Sequence, residues 1–341
     1  MSYRRLVLLL ATPVVISAQS ITDTPTGTTA LLQAVSAVDT QVVWMSGHRG
    51  AVLRSVDGGR TWQPRVVPGA DSLEFRDIHA VSADLAWVLS AGPGDRSRIY
   101  HTRDGGSTWA LQFRNTDPDA FYDCFAFFNA RRAVAFSDAS QQRTNMLITR
   151  DGGTTWTPLS RDAVPAPLEG EGAFAASGGC VSTYGERHGW VALGGPGARL
   201  FRSDNGGATW SVHETPIVRG ASAGMTAAHF RNAEHGIAVG GRIDVYATDT
   251  ASAAVAVTQD GGRTWVLRSR PGRPGALFAV TWLPGAPGEV ALAAGPGGLF
   301  VSRDAGRSWT TLDERAFWSV AASGTVAWAA GPRGAAVRIE F

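Results

Sequence analysis

Lysine is missing altogether: the 31 basic residues among the 341 are all arginine. Its absence removes Schiff-base chemistry and the lysine of a phosphate-binding loop. Cysteine occurs twice, at Cys124 and Cys180, too rarely for a disulfide scaffold or a cysteine zinc site. Charge is also scarce, at 18% of residues with a net of +2, against roughly 25% in ordinary soluble proteins. Without a concentrated basic run, neither nucleic acid nor an anionic membrane is an expected partner. After the amino terminus no hydrophobic run is long enough to span a bilayer. What the chain has in quantity is glycine (41), proline (17) and tryptophan (12), in a sequence that is 44% hydrophobic.

The first 18 residues are arranged for export. Arg4 and Arg5 precede the apolar run LVLLLATPVVIS, and Ser17-Ala18 offers small residues for cleavage before Gln19, the layout of a secretory signal peptide. The run is shorter than the roughly 20 apolar residues of a membrane span, and Pro13 interrupts it. Residues 1–18 are therefore expected to be a signal peptide, with a periplasmic or secreted mature chain of residues 19–341 forming one propeller.

An eight-residue phrase recurs six times: SVDGGRTW, TRDGGSTW, TRDGGTTW, SDNGGATW, TQDGGRTW and SRDAGRSW. Its acidic or amide positions are Asp57, Asp104, Asp151, Asn205, Asp260 and Asp304, and its terminal aromatics are Trp62, Trp109, Trp156, Trp210, Trp265 and Trp309. A spacing of 44 to 55 residues marks a stacked or radial array. Asp or Asn accepts backbone N–H bonds in a tight turn, glycine supplies a positive φ, and the hydroxyl residues add local hydrogen bonds. Each phrase brings mostly one carboxylate where calcium takes six to eight oxygens, so these sites read as folding punctuation.

Short β-branched and aromatic runs about ten residues apart precede each phrase, as in FRDIHAVS, LAWVLSAG and RIYHT, which is the pattern of antiparallel strands. Each repeat reads as a four-stranded meander with the phrase between its third and fourth strands. An open solenoid would leave its edges unpaired; radial closure leaves short, protected ones. A seventh, three-stranded unit follows the sixth phrase, and SITDTPTGT near residue 20 can supply its outer strand. The expected fold is all-β: a seven-bladed β-propeller of four-stranded antiparallel blades, closed by the N-terminal segment completing the last blade. Trp44, Trp87, Trp190 and Trp328 recur in second strands and are expected in the core.

The stretches that lengthen the array, 160–172, 240–253 and the smaller one from Ser137, fall on the face opposite the phrases. Loops on a rigid scaffold are where binding concentrates. The candidate partner-binding residues are Asp77, Asp123, Asp138, Arg143, Glu169, Glu171, Arg199, Arg219, Arg242 and Asp244. Asp77 and Asp123 are expected at matching positions in two innermost strands, near the mouth of the central channel. Solvated loop charge is the ordinary state of any one of these residues; their clustering singles out the face.

Enzyme signatures are few. A glycosidase needs two carboxyls about 5–10 Å apart; Glu169 with Glu171, or Asp123 with Asp138, are the available pairs. Sialidase marks are missing: there is no Arg-Ile-Pro near the mature start, and Tyr184 with Glu186 falls on the wrong face. The seven histidines show no metal-ligand spacing, and neither a G-x-S-x-G elbow nor a nucleotide fingerprint is present. No catalytic residue, metal or cofactor is expected. Cys124 and Cys180 fall at corresponding places in adjacent repeats, where first strands generally lie beyond the roughly 7 Å limit for a bridge; two buried thiols are expected.

The DGG-x-TW repeats, preceded by strands such as VVWMSGHRGAVLRS, resemble the photosystem II stability and assembly factor family of seven-bladed propellers over residues 28–341. FYDCFAFF, AVAFSDAS, EGEGAFAASGG, GGPGARLFRS and SAGMTAAHF look like a non-photosynthetic bacterial branch of it. The phrase alone is shared with sialidases, sortilin-type receptors and glucanases. The resemblance implies a lumenal or periplasmic assembly protein that holds a membrane-protein partner through an arginine-rich surface. The arginines of this chain are scattered and do not match that patch residue by residue. The expected function is a monomeric, exported, non-enzymatic binding or assembly protein with a protein partner, such as an envelope or membrane complex. The alternative is a glycan-binding or sialidase-like propeller using Asp123, Asp138, Glu169 and Glu171.

Overall fold

The computed structural model describes residues 19–286 and 288–341; the expected signal peptide lies outside the described residues. Seven antiparallel sheets follow one another along the chain. Blades 1 to 3 cover Leu32–Pro64, Phe75–Arg114 and Tyr122–Pro158; blades 4 to 6 cover Val181–His213, Gly220–Leu267 and Ala279–Asp313. Blade 7 takes three strands from Ser319–Glu340 and its outermost from Ser20–Asp23. That strand pairs antiparallel with the last one, from Ser20 opposite Glu340 to Asp23 opposite Val337. The N-terminal segment thus closes the ring and covers an edge that would otherwise stand open.

Each phrase folds as its residue types dictate. In blade 2, Asp104 Oδ1 accepts the Thr108 N–H at 2.9 Å, and Oδ2 accepts the Thr108 hydroxyl at 2.7 Å. The Thr102 hydroxyl accepts from Gly106 N–H at 2.8 Å and donates to Asp104. The Thr108 hydroxyl, its N–H and the Thr102 hydroxyl together hold the Asp104 carboxyl at a pKa of about 2. The same pattern recurs at Asp57, Asp151, Asp260 and Asp304. Asn205 substitutes its amide, which donates to Thr209 Oγ1 at 2.8 Å.

These turns also join blade to blade. Trp44, Trp87, Trp190 and Trp328 are fully buried, and each indole N–H donates to a carbonyl of the following blade. Trp87 reaches Gly152 at 3.1 Å, Trp190 reaches Gly261 at 2.8 Å and Trp328 reaches Gly58 at 3.0 Å, all three acceptors being phrase glycines. Trp44 reaches Ser82 at 3.1 Å, in the first turn of blade 2. Apolar clusters fill the gaps between consecutive sheets; one packs Trp87, Leu89 and Ile99 of blade 2 against Phe125, Phe127 and Leu147 of blade 3.

The cysteines correct the expectation of two thiols: Cys124 and Cys180 are joined in a disulfide, with their Cα atoms 6.0 Å apart. First strands crowd together around the narrow axis, and at this register the side chains of blades 3 and 4 face the same inter-blade gap. The crowding recurs between blades 2 and 3, where Asp77 Oδ2 accepts the Phe125 N–H at 2.8 Å. A crosslink of this span contributes on the order of 2–4 kcal/mol.

Replacing Trp87 with Phe keeps most of the buried ring but leaves the Gly152 carbonyl without its indole donor. Such a loss costs about 1–3 kcal/mol. Urea unfolding of Trp87→Phe should show a lower midpoint with an unchanged slope; an unchanged midpoint would mean that the indole bond contributes nothing to blade docking.

Candidate functional site

The elongated connections gather on the face opposite the phrases, around the mouth of the central channel. In blades 1, 2 and 3 the first strand carries a β-bulge near its start, at Gln33, Arg76 and Asp123. A bulged residue leaves the ladder and its side chain is re-aimed; here these three line the mouth. Phe278 and Trp318 occupy the same place before the first paired residues of blades 6 and 7. Together with Phe121, Asp138, Tyr246 and residues 173–176 they enclose a cup of about 460 Å³.

The bulges overturn the expected match between Asp77 and Asp123. Asp123 aligns with Arg76, and Asp77 aligns with Cys124. A one-residue slip sends a side chain the other way, so Asp77 lies below the mouth. Its two oxygens accept the N–H groups of Ile78 and Phe125, both at 2.8 Å, and burial holds its pKa well above the usual carboxylate range.

The floor of the cup is a segment that carries no motif in the sequence. Residues 173–180, between blades 3 and 4, cross the channel. Ala173 N–H donates to Asp138 Oδ1 at 2.9 Å, and the Ala175 carbonyl accepts from Gln33 Nε2 at 2.8 Å. Farther on, the Ser177 hydroxyl donates to the Phe278 carbonyl at 2.6 Å, and the Ser319 hydroxyl donates to the Ser177 carbonyl at 3.2 Å. Gly178 passes so close to Asp77 that a Cβ there would sit 2.4 Å from its Oδ1, at a φ of +74°; only glycine fits. Beyond the segment lies a second space of about 230 Å³ lined by all seven first strands. His79 and His229 border it, and burial lowers both to a pKa of about 4.

The other sequence candidates divide by environment. Glu171 and Arg199, expected as partner-facing charges, form a buried ion pair: Arg199 Nε donates to Oε1 at 2.7 Å and an Nη to Oε2 at 2.5 Å. Arg199 also donates to the Ala166 carbonyl, while Glu171 accepts the Leu168 N–H. The pair pins the 160–172 connection, a positioning duty that does not leave either group free. Glu169 beside it is exposed. Arg242 and Asp244 pair with each other at 2.6 Å on the exposed 240–253 loop, Arg219 lies 3.6 Å from Glu214, and Arg143 donates to Asn145 at 3.0 Å. Asp249, which sequence reasoning passed over, ties its loop by accepting Arg242 N–H at 3.0 Å and pairing with Arg270 at 3.2 Å.

Asp123 and Asp138 do come together. Each carboxyl lies within hydrogen-bond reach of the other. Burial first and then Asp138 hold the Asp123 pKa well above the usual range, and burial raises Asp138 to about 6. Two carboxyls in contact share a proton and leave no space between them for a scissile bond, which needs a separation of about 5–10 Å. The other pair is unavailable because Glu171 is bound to Arg199. Among the described residues no group of acids, histidines or cysteines has the arrangement of a metal site.

Residues 17–164 match the family model described as photosynthesis system II assembly factor YCF48. Within that stretch, a little under half of the chain, the DGG-x-TW repeats are similar to those of that family. No curated protein sequence matches. Among solved structures, YCF48 bound to D1 peptide superposes with a TM-score of 0.66 at 17% identity, covering 95% of this chain and 97% of that one. YCF48 from Cyanidioschyzon merolae gives 0.65 at 17% identity, over 94% and 98%. The GH74 enzyme of Niastella koreensis gives 0.64 at 12% identity, over 93% of this chain and 53% of that one. At these identities the structural matches establish the propeller fold, which assembly factors and glycoside-active enzymes share.

Asp138 also makes stability depend on pH. Its folded pKa, about 6, lies above the ordinary 3.8, so between these values the folded state holds a proton that the unfolded chain has lost, and stability falls as pH rises through 6. Asp138→Asn keeps an acceptor for Ala173 N–H and removes the titration. In urea midpoints measured from pH 4 to 8, the variant should gain on the wild type as pH rises; a constant difference would refute the buried-carboxyl assignment.

Proposed function

We propose that the protein is an exported, non-enzymatic binding or assembly protein that presents the loop-rich face of its propeller to a protein partner. The observation that carries this reading is the way the face is built. Its long connections are tied down by the Glu171–Arg199 pair and by Asp249, and they surround a preformed, aromatic-lined cup. Loops already ordered lose little conformational freedom on binding, and arginines such as Arg143 and Arg242 offer planar donors to carboxylates and backbone oxygens. That a YCF48 of the same fold has been solved with a D1 peptide lends support to a peptide or protein ligand. The N-terminal pattern and the Cys124–Cys180 bridge support a periplasmic or secreted location, since disulfides persist in oxidising compartments. The partner would be an envelope or membrane protein bound by a monomer.

An array of peptides drawn from envelope proteins tests the reading. Wild type and the opposite-face control Arg103→Ala should bind a common subset, and Arg143→Ala with Arg242→Ala should lose most of that signal. Equal binding by all the proteins would count against this face. Export is checked separately: mass spectrometry of periplasmic protein should find a chain beginning at Gln19, and a retained N-terminus would remove that part of the reading.

A second reading, glycan binding, is favoured by one observation: the acid pair Asp123 and Asp138 sits beside Tyr246 and Trp318. A glycoside panel with wild type, Asp138→Asn and Glu169→Gln decides. Turnover by wild type that both variants lose would replace the assembly reading with an enzymatic one; no turnover is expected from carboxyls in contact.

A further inference from the structure

The cup holds an acid that the protein leaves incompletely matched. Asp123 is 1% exposed and lines the cup, yet its Oδ2 receives no N–H or O–H donor from the protein. The group opposite is the Asp138 carboxyl, whose Oδ1 is occupied by Ala173 N–H. Carboxylates only accept, so the pair calls for a shared proton or for a donor brought by a ligand. The wall across the cup is aromatic: Phe278 and Trp318 have ring centroids 5.0 Å apart, and Tyr246 lies 5.8 and 6.2 Å from them. Aromatic faces attract cations, and the stems of long basic side chains lie along apolar surface.

The basic groups nearby are already engaged. Arg76 is held by Glu74, with Nε and Nη 2.9 and 2.5 Å from one carboxylate oxygen, and lies over Phe121 at 6.0 Å. His48 bonds Gln33 at 2.7 Å and lies 3.7 Å from Glu74. Arg143 is held by Asn145, and Glu171 by Arg199. Arg76 lines the cup and its charge acts on Asp123, but Glu74 balances it, so the net charge left at the cup is that of the acid pair.

We propose that this cup receives the side chain of an arginine or lysine of the partner, its cationic head against the cup side of the Asp123 and Asp138 carboxyls and its methylene stem against Tyr246, Phe278 and Trp318. The inference rests on the partner-binding reading above and names the residue class that would anchor the partner. A guanidinium offers five N–H donors and an ammonium three, enough to satisfy Asp123 Oδ2 and a free oxygen of Asp138 together. A neutral sugar hydroxyl would satisfy one oxygen and leave the charge unmatched. On binding, the cation displaces the proton shared by the two carboxyls, which leaves to solvent.

The test uses N-acetyl-arginine methylamide and its neutral citrulline counterpart as probes, titrated calorimetrically into the full mature chain at pH 6 in two buffers of different ionisation enthalpy. The arginine probe should bind wild type about tenfold or more tighter than citrulline, as expected for a charge-assisted contact, and should release a proton. Asp123→Asn should lose most of that preference and the proton release, and Trp318→Ala should weaken both probes. Equal binding of the two probes to wild type, or an unchanged preference in a folded Asp123→Asn, would overturn the proposal. Because the probe comparison on wild type stands alone, a variant that fails to fold does not rescue it. If array peptides bind without preference for arginine or lysine, the cup assignment fails and the partner reading survives; if the arginine probe binds and no peptide does, the reverse holds.

Discussion

A tryptophan N–H pointing out of one blade and into a turn of the next is the contact on which the disc depends. Four second-strand indoles make it, at Trp44, Trp87, Trp190 and Trp328. The bond needs a carbonyl held at a fixed place, and three of the four acceptors are phrase glycines set by the Asp and hydroxyl network around them. The phrase therefore acts at two levels. Locally it fixes a tight turn whose glycines take positive φ; between blades it presents the acceptor that sets the docking angle. The apolar clusters supply most of the burial, but they are not directional, and this bond gives them a register.

That rigidity is what gives the opposite face its meaning. Blades docked at fixed angles bring Gln33, Arg76, Asp123, Phe278 and Trp318 to one rim although 40 to 155 residues separate successive members of the set in the chain. Segment 173–180 then seals the channel beneath them, held by Asp138 at one end and by the disulfide at the other. A pocket with walls from five blades and loops and a covalently anchored floor changes shape only if the disc itself distorts.

Much of this was legible in the sequence, and the rest was hidden for identifiable reasons. The phrases gave the period, the partial seventh unit and SITD gave the closure, and the tryptophans at one repeat position gave the core. The surplus loop lengths pointed to the face on which the cup lies, because insertion length survives translation into three dimensions. The cup was hidden because its members share a place and not a chemistry: an amide, a guanidinium, a carboxyl and two aromatic rings occupy equivalent positions. The single-residue bulges that aim Gln33, Arg76 and Asp123 leave no mark in hydrophobic alternation, so Asp77 was read as facing a mouth it lies beneath. Glu171 and Arg199 looked like surface charge because their pairing links residues 28 apart, from an irregular connection to the start of the third strand of blade 4. The disulfide was missed because inter-blade spacing varies with depth along the axis, and an average distance does not describe the crowded inner ring.

The antiparallel pairing of Ser20–Asp23 with Ala336–Glu340 imposes an order on assembly. The Ser20–Asp23 stretch finds its hydrogen-bonding mate only after the six intervening sheets have been synthesised. Six sheets can therefore curl into an incomplete arc while their leading tail stays unattached, and the final zippering of that tail converts a spring-like ribbon into a locked wheel.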